Sequence, residues 1–122
     1  MDYKEFIETY KTLETPSVVV FKGSIDPKTN DNWCSDCVKA EPYLKKIVEP
    51  ECKARSIPYI EVKVGLKPEW VDQSHPLRTN PDLKIKSVPT LALLLNNKNA
   101  ISLEEDQLWN EDILKSFLEE LN

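Results

Sequence analysis

Val18, Val19, Val20 and Phe21 follow one another in the segment Ser17-Val18-Val19-Val20-Phe21. A strand built from this run points apolar side chains to both of its faces, so it belongs inside a sheet that helices cover on each side. The flanking sequence supplies the helices. Tyr3, Phe6, Ile7 and Tyr10, with Leu13 close to the same stripe, predict an amphipathic helix that ends before Thr15-Pro16. Val38, Ala40, Tyr43, Leu44, Ile47 and Val48 predict a second one from Ser35 toward Lys53, kinked by Pro42 and with its end expected near Pro50. Asn110 can cap a last helix that buries Ile113, Leu114, Phe117, Leu118 and Leu121.

Three more strands complete the pattern. Tyr59 to Val64 alternates, Leu91 to Leu95 is a second buried run, and the turn signal Asn96-Asn97-Lys98-Asn99 makes Ala100 to Leu103 its hairpin partner. Gly23 to Asn32 reads as a polar loop, and Gly65 to Leu83 as irregular chain or short helices. Strands separated by helices imply parallel pairing and the last two strands imply a hairpin, so the expected class is α/β with a central mixed β-sheet flanked by α-helices. With 122 residues, no repeat and no linker, a single domain over 1-122 is expected.

Charge and composition exclude several functions. The net charge of −5 does not favour binding to nucleic acid or to an anionic membrane. Seven acids between Glu104 and Glu120 face Lys115 alone, a pattern usual for a solvated helix face. The segment Met1-Asp2-Tyr3-Lys4-Glu5-Phe6 lacks the basic and apolar stretches of a secretory signal, and Leu91 to Leu95 is too short to span a bilayer, which leads to an expected cytoplasmic location. Three cysteines, an odd number, then favour metal or redox chemistry over a disulfide framework.

That chemistry centres on Trp33-Cys34-Ser35-Asp36-Cys37, after a loop and at the start of the second helix. There the first sulfur meets unpaired backbone N–H groups and the positive end of the helix dipole, an environment that lowers a thiol pKa from ~8.5 into the range ~3.5–7.5. The second sulfur, one turn on, can attack a mixed disulfide formed by the first. Cys34 is therefore the candidate nucleophile and Cys37 the resolving thiol of a redox-active pair. A zinc site of Cys34, Cys37, Cys52 and His75 is the alternative, weakened by the absence of a second close ligand pair. Cys52 alone reads as a small packed hydrophobe, His75 as a loop residue, and Trp70 and Trp109 as packing residues.

Ser87-Val88-Pro89-Thr90 precedes the buried Leu91 strand, where a proline can be a simple edge effect. Together with the upstream C-x-x-C it resembles the thioredoxin superfamily, in which a Trp-Cys-x-x-Cys motif faces a cis-proline. Phe21-Lys22-Gly23-Ser24, the long loop, Trp33 to Pro42, Val64-Gly65-Leu66-Lys67-Pro68-Glu69-Trp70, Asp72, Pro76, Leu77-Arg78 and Ser87 to Leu91 occur in order. Over residues 17 to 95 this is similar to the thioredoxin domain-containing protein 17 (14 kDa thioredoxin-related protein) family. The resemblance implies a thioredoxin fold, a cis Val88-Pro89 bond, and substrate contacts from Trp33, Val88 and Pro89.

It also implies a cytosolic disulfide reductase that takes electrons from NADPH through thioredoxin reductase, with no bound cofactor or metal. Its substrates would be small disulfides such as cystine, selected proteins and some peroxides; a monomer is expected. Family members are poor on the large substrates of ordinary thioredoxin, and the Gly23 to Asn32 loop offers a reason by reshaping the rim beside Cys34. Ser35 stands where the family commonly has proline, so Ser35 and Asp36 are candidates for tuning the redox potential, with ordinary helix capping as the plainer role. Val20 stands where ordinary thioredoxins carry a buried acid, which leaves water, Asp36 or Glu41 to take the proton of Cys37; Glu41 is equally readable as a solvated helix residue. A redox-switched binding module without rapid turnover remains the alternative function.

Overall fold

The computed structural model describes residues 1–121. In chain order it contains α1 (Tyr3–Thr9), β1 (Ser17–Lys22), β2 (Ile25–Asp26), β3 (Asp31–Asn32), α2 (Ser35–Tyr43), α3 (Glu49–Ala54), β4 (Tyr59–Lys63), α4 (Lys67–Trp70), α5 (Pro76–Thr79), β5 (Thr90–Leu95), β6 (Lys98–Glu104) and α6 (Glu111–Glu119). The main sheet has the order β4-β1-β5-β6, with β1 as the interior strand that its apolar run demands, buried from Ser17 to Phe21. Val19 and Phe21 point to one face and join Phe6, Val62, Trp70, Leu77, Leu83 and Ile85; Val18 and Val20 point to the other and join Ala40, Leu44, Val48, Leu114 and Phe117. Burial of each such side chain contributes about 1.5–3 kcal/mol, so β1 anchors both halves of the core.

The sheet is mixed, with one strand direction that differs from expectation. β1 and β4 are parallel, Val18 opposite Tyr59 and Val20 opposite Glu61. β5 runs antiparallel to β1, Phe21 opposite Thr90 and Val20 opposite Leu91, even though short helices separate it from β4. The reason is that the chain leaving β4 spends its length in the single turns α4 and α5 and re-enters the sheet from the same end, on the far side of β1. Pro89 is thereby delivered to the end of the sheet at which β1 finishes. The β5–β6 hairpin turns at Asn96 and Asn97, which both adopt positive φ, the pairing of a two-residue turn that matches strand twist.

Two further local differences have plain causes. The segment expected as a loop between Gly23 and Asn32 folds into the small antiparallel ladder β2–β3, Ile25 opposite Asn32. The helix after Ser35 does not end near Pro50 but continues to Ala54 through a wide turn at Leu44–Val48, in which the Glu49 N–H reaches back five residues to the Leu44 carbonyl. A proline ring clashes with the carbonyl four residues earlier, and widening the turn just before Pro50 relieves that conflict without ending the helix.

His75, expected in a loop, is a buried cap of α5. Its ring lies 4.2 Å from that of Tyr3 and 5.0 Å from that of Trp70. Nδ1 accepts from the Leu77 N–H (3.1 Å), so the neutral ring carries its proton on Nε2 and donates it to the Val64 carbonyl (2.9 Å). His75→Ala leaves both backbone groups unpaired in the core and should cost about 2–4 kcal/mol; an unchanged urea midpoint would contradict this.

Candidate active site

Cys34 is the N-cap residue of α2 and Cys37 lies in its first turn. The two form a disulfide with Cα atoms 5.2 Å apart. Cys34 Sγ accepts the Cys37 N–H at 3.2 Å, occupying the place of a capping oxygen, while the Cys34 carbonyl accepts from the N–H groups of Cys37 and Val38. In the reduced protein the Cys37 N–H and the positive end of the helix dipole favour negative charge on this sulfur. The sulfurs are not equivalent. Both are buried, but Cys34 stands next to exposed Ser35 and Asp36 at the helix start, whereas Cys37 lies a turn further in and its Sγ receives the Gly23 N–H at 3.5 Å.

The chain has only two glycines, and both hold this site. A side chain on Gly23 would sit 2.7 Å from Asn32 Oδ1, 2.9 Å from Trp33 Cε2 and 3.0 Å from Cys34 Cβ. That close approach lets the Asn32 amide bridge the end of β1 to the helix start: Nδ2 donates to the Gly23 carbonyl (2.9 Å) and Oδ1 accepts from the Cys34 N–H (2.8 Å). Gly65, at φ +98°, turns the chain after β4 so that its carbonyl accepts the Trp33 indole N–H at 2.8 Å. Trp33 is half-buried and fixed in direction, with its ring partly packed against the core.

Opposite the helix start, the Val88–Pro89 bond is cis and the Val88 carbonyl lies 3.8 Å from Cys34 Sγ. Pro89 is buried and Val88 half-buried. Trp33, Cys34, Cys37, Val88 and Pro89 therefore converge, and Ser35 and Asp36 stand at the exposed rim. The alternative four-ligand metal set does not form: both His75 nitrogens are engaged in the core, and Cys52 is fully buried in the cluster on the other sheet face. Among the described residues no group of three His, Cys, Asp or Glu side chains is placed to hold a metal. Burial pushes the Cys52 thiol up to about 11, which suits a packed residue.

Beneath Cys37 lies a feature that single residues in the sequence did not signal. Lys22 of β1 forms an ion pair with Glu61 of β4, and Lys45 binds the other Glu61 oxygen at 2.6 Å. Burial alone would raise the Glu61 pKa, but hydrogen bonds from the two lysines outweigh it and hold the carboxyl below its ordinary 4.5. Lys45 is raised by those bonds to Glu61 and Glu49. Glu41 is exposed yet reaches within 3.9 Å of Lys22, so it is a solvated residue at the margin of this cluster. Asn32 and Gly23 were equally silent; the available signal was an Asx-type residue two positions before the cysteine, a spacing that suits a side-chain to backbone bond.

Comparison with known proteins places these features in context. The family description "Thioredoxin domain-containing protein 17-like, thioredoxin domain" matches residues 1–120. Thioredoxin domain-containing protein 17 of Mus musculus is 36% identical over 95 residues, 75% of this chain and 71% of that protein. Thioredoxin-like protein Clot of Oryza sativa is 34% identical over 92 residues, 74% of this chain and 66% of that protein; the matches span from just over half to just under two thirds of the plant relatives' length. The crystal structure of Chlamydomonas reinhardtii thioredoxin f2 superposes with TM-score 0.61 at 20% identity, covering 98% of this chain and 92% of that one, a likeness that shows the thioredoxin fold.

Two expectations follow from the packing. Gly23→Ala should destabilise the protein by about 1–3 kcal/mol through overpacking and slow the reaction of Cys34 with a disulfide reagent; wild-type values for both would contradict the tight approach. For Glu61 the folded carboxyl binds its proton less tightly than the unfolded one, so its contribution is complete above about 4.5 and is lost as pH falls through its lower folded value. Glu61→Gln should accordingly flatten the acid limb of stability against pH, measured by urea unfolding between pH 6 and 3 on the order of one unit steps.

Proposed function

The chain belongs to the thioredoxin domain-containing protein 17-like family of thioredoxin-fold proteins, and from that membership we propose that it is a disulfide reductase of narrow specificity for small disulfides such as cystine and for selected protein disulfides. A thiol–disulfide oxidoreductase is what a Cys34–Cys37 pair in this fold constitutes. The observation that supports the finer reading is the placement of Cys34 Sγ at the cap of α2, beside exposed Ser35 and Asp36 and 3.8 Å from the Val88 carbonyl.

The chemistry runs in two displacements. The Cys34 thiolate attacks one sulfur of the substrate disulfide; the substrate S–S bond breaks, its distal sulfur leaves with the electron pair and takes up a proton, and the proximal sulfur stays joined to Cys34. Cys37, once deprotonated, attacks Cys34 Sγ; the mixed disulfide breaks, the second substrate thiol leaves, and the protein pair is left oxidised. Electrons from NADPH, delivered by thioredoxin reductase, restore the dithiol, so the chain itself needs no bound cofactor or metal. Peroxides would be minor substrates of the same Cys34 thiolate.

Trp33, Val88 and Pro89 supply the substrate surface, and Ser35 and Asp36, exposed beside the sulfurs, tune the redox potential. The β2–β3 hairpin, which carries exposed Ile25 and ends at Asn32 directly before Trp33, would narrow access for large folded substrates. We place the protein in the cytoplasm as a monomer.

The test is NADPH oxidation with thioredoxin reductase and cystine, with insulin as the large disulfide. Cystine turnover that falls to background in Cys34→Ser, slow insulin reduction, and a trapped mixed disulfide in Cys37→Ser are the expected results. Turnover kept by Cys34→Ser would overturn the mechanism, and a folded wild type that turns over neither substrate would favour a redox-switched binding module.

A further inference from the structure

Cys37 has to lose its proton before it can attack Cys34, and its position makes that unfavourable: it is 3% exposed, and burial disfavours a thiolate. The strand position beneath it holds Val20, which offers no acid or base. Cys37 lines a small cavity between α2 and the sheet, with about 10 Å³ of room, the space of a single water. Cys37, Glu41, Leu44 and Lys45 recur at helical spacing and form its roof. In the floor, Val20 pairs with Glu61, so Lys22 and Tyr59, two residues along their strands, emerge on the same helix-covered face.

Lys22 is unusual there, since its side chain is only 16% exposed and stands in line with the core residues Val18 and Val20. It is held by Glu61, with Glu41 at 3.9 Å. The other charges near it are Lys45, 44% exposed and bound to Glu61 and Glu49, and Lys63 and Asp31, which share a wider outer groove with Lys22. Tyr59 stays a neutral phenol, raised by burial and then by Glu61. Glu61 itself, kept ionised by two lysines, has too little proton affinity to retain the proton of Cys37 and acts as the clamp on Lys22.

We propose that Lys22, clamped by Glu61 under α2, is a positioning residue for the resolving step, its ammonium stabilising the Cys37 thiolate in the shared cavity. This rests on the reading of Cys37 as the resolving thiol. The Cys37 thiol releases its proton to solvent, the thiolate pair forms the bond to Cys34 Sγ, the Cys34–substrate S–S bond breaks, and the departing substrate sulfur keeps that bond's electrons and takes up a proton.

The decisive measurement is the thiolate absorbance of Cys37 against pH in Cys34→Ser protein, where Cys52 stays clear because burial pushes its thiol up to about 11. Lys22→Met should raise the Cys37 midpoint by about one pH unit, and Lys22→Arg should restore it. Glu61 keeps Lys45 in the Lys22→Met variant, so no carboxylate is left unpaired; if that variant does not fold, Lys22→Gln carries the same readout. In protein with both cysteines, reduced protein mixed with excess 5,5′-dithiobis(2-nitrobenzoate) releases thionitrobenzoate in two phases, the second being the attack of Cys37. Below both midpoints a one-unit rise cuts the thiolate tenfold, while the higher intrinsic nucleophilicity recovers part of it, so that phase should slow by about three- to fourfold. Above both midpoints the variant should be the faster of the two. An unchanged midpoint in folded Lys22 variants, or a second phase of wild-type rate and pH profile, overturns the proposal. Failure of wild-type cystine turnover would instead remove the functional reading, since the titration of Cys37 does not depend on it.

Discussion

The pinning of the α2 N-terminus onto the end of β1 is the constraint from which the site follows. Gly23 admits the approach because it has no side chain, the Asn32 amide ties the Gly23 carbonyl to the Cys34 N–H, and the Gly23 N–H reaches the Cys37 sulfur. One sulfur is thereby left at the cap of a helix and the other is drawn under it. That asymmetry suits a two-step exchange: a sulfur beside the exposed rim to start the reaction and one turned under the helix that waits for a mixed disulfide.

Everything else at the site arrives at the same end of the sheet. β1 ends there, the chain leaving β4 turns there at Gly65, and β5 starts there because α4 and α5 return the chain to that end. The antiparallel entry of β5 is therefore more than a detail of topology, since it sets Val88 and Pro89 against Cys34. Gly65 adds the last tie by accepting the Trp33 indole. The buried ring of His75 braces this end of the sheet, joining the end of β4 to the start of α5 through two backbone bonds.

The charged layer beneath Cys37 shows how a core face can carry ions. Lys22 and Glu61 neutralise each other and Lys45 closes the remaining oxygen, so charges stand beside apolar Val20 and Leu44 with partners in place. Such a pair adds little stability against an apolar equivalent.

Much of this was legible in the residues themselves. The apolar run of β1 determined a covered central strand, the spacing of Tyr3, Phe6 and Tyr10 a helix packed on it, and the Trp33 to Cys37 motif the place of the reactive pair, because periodicity and local backbone chemistry depend on near neighbours only. Tertiary structure decided the rest. The direction of β5 depended on where a connection of short helices ends, the continuation past Pro50 on a widened turn, and the burial of His75 on the rings of Tyr3 and Trp70. The meeting of Lys22 with Glu61 required the β1–β4 register, which brings together residues 39 positions apart. No local pattern encodes such a pairing, since it arises only when a distant strand slides into the one alignment that buries its apolar face.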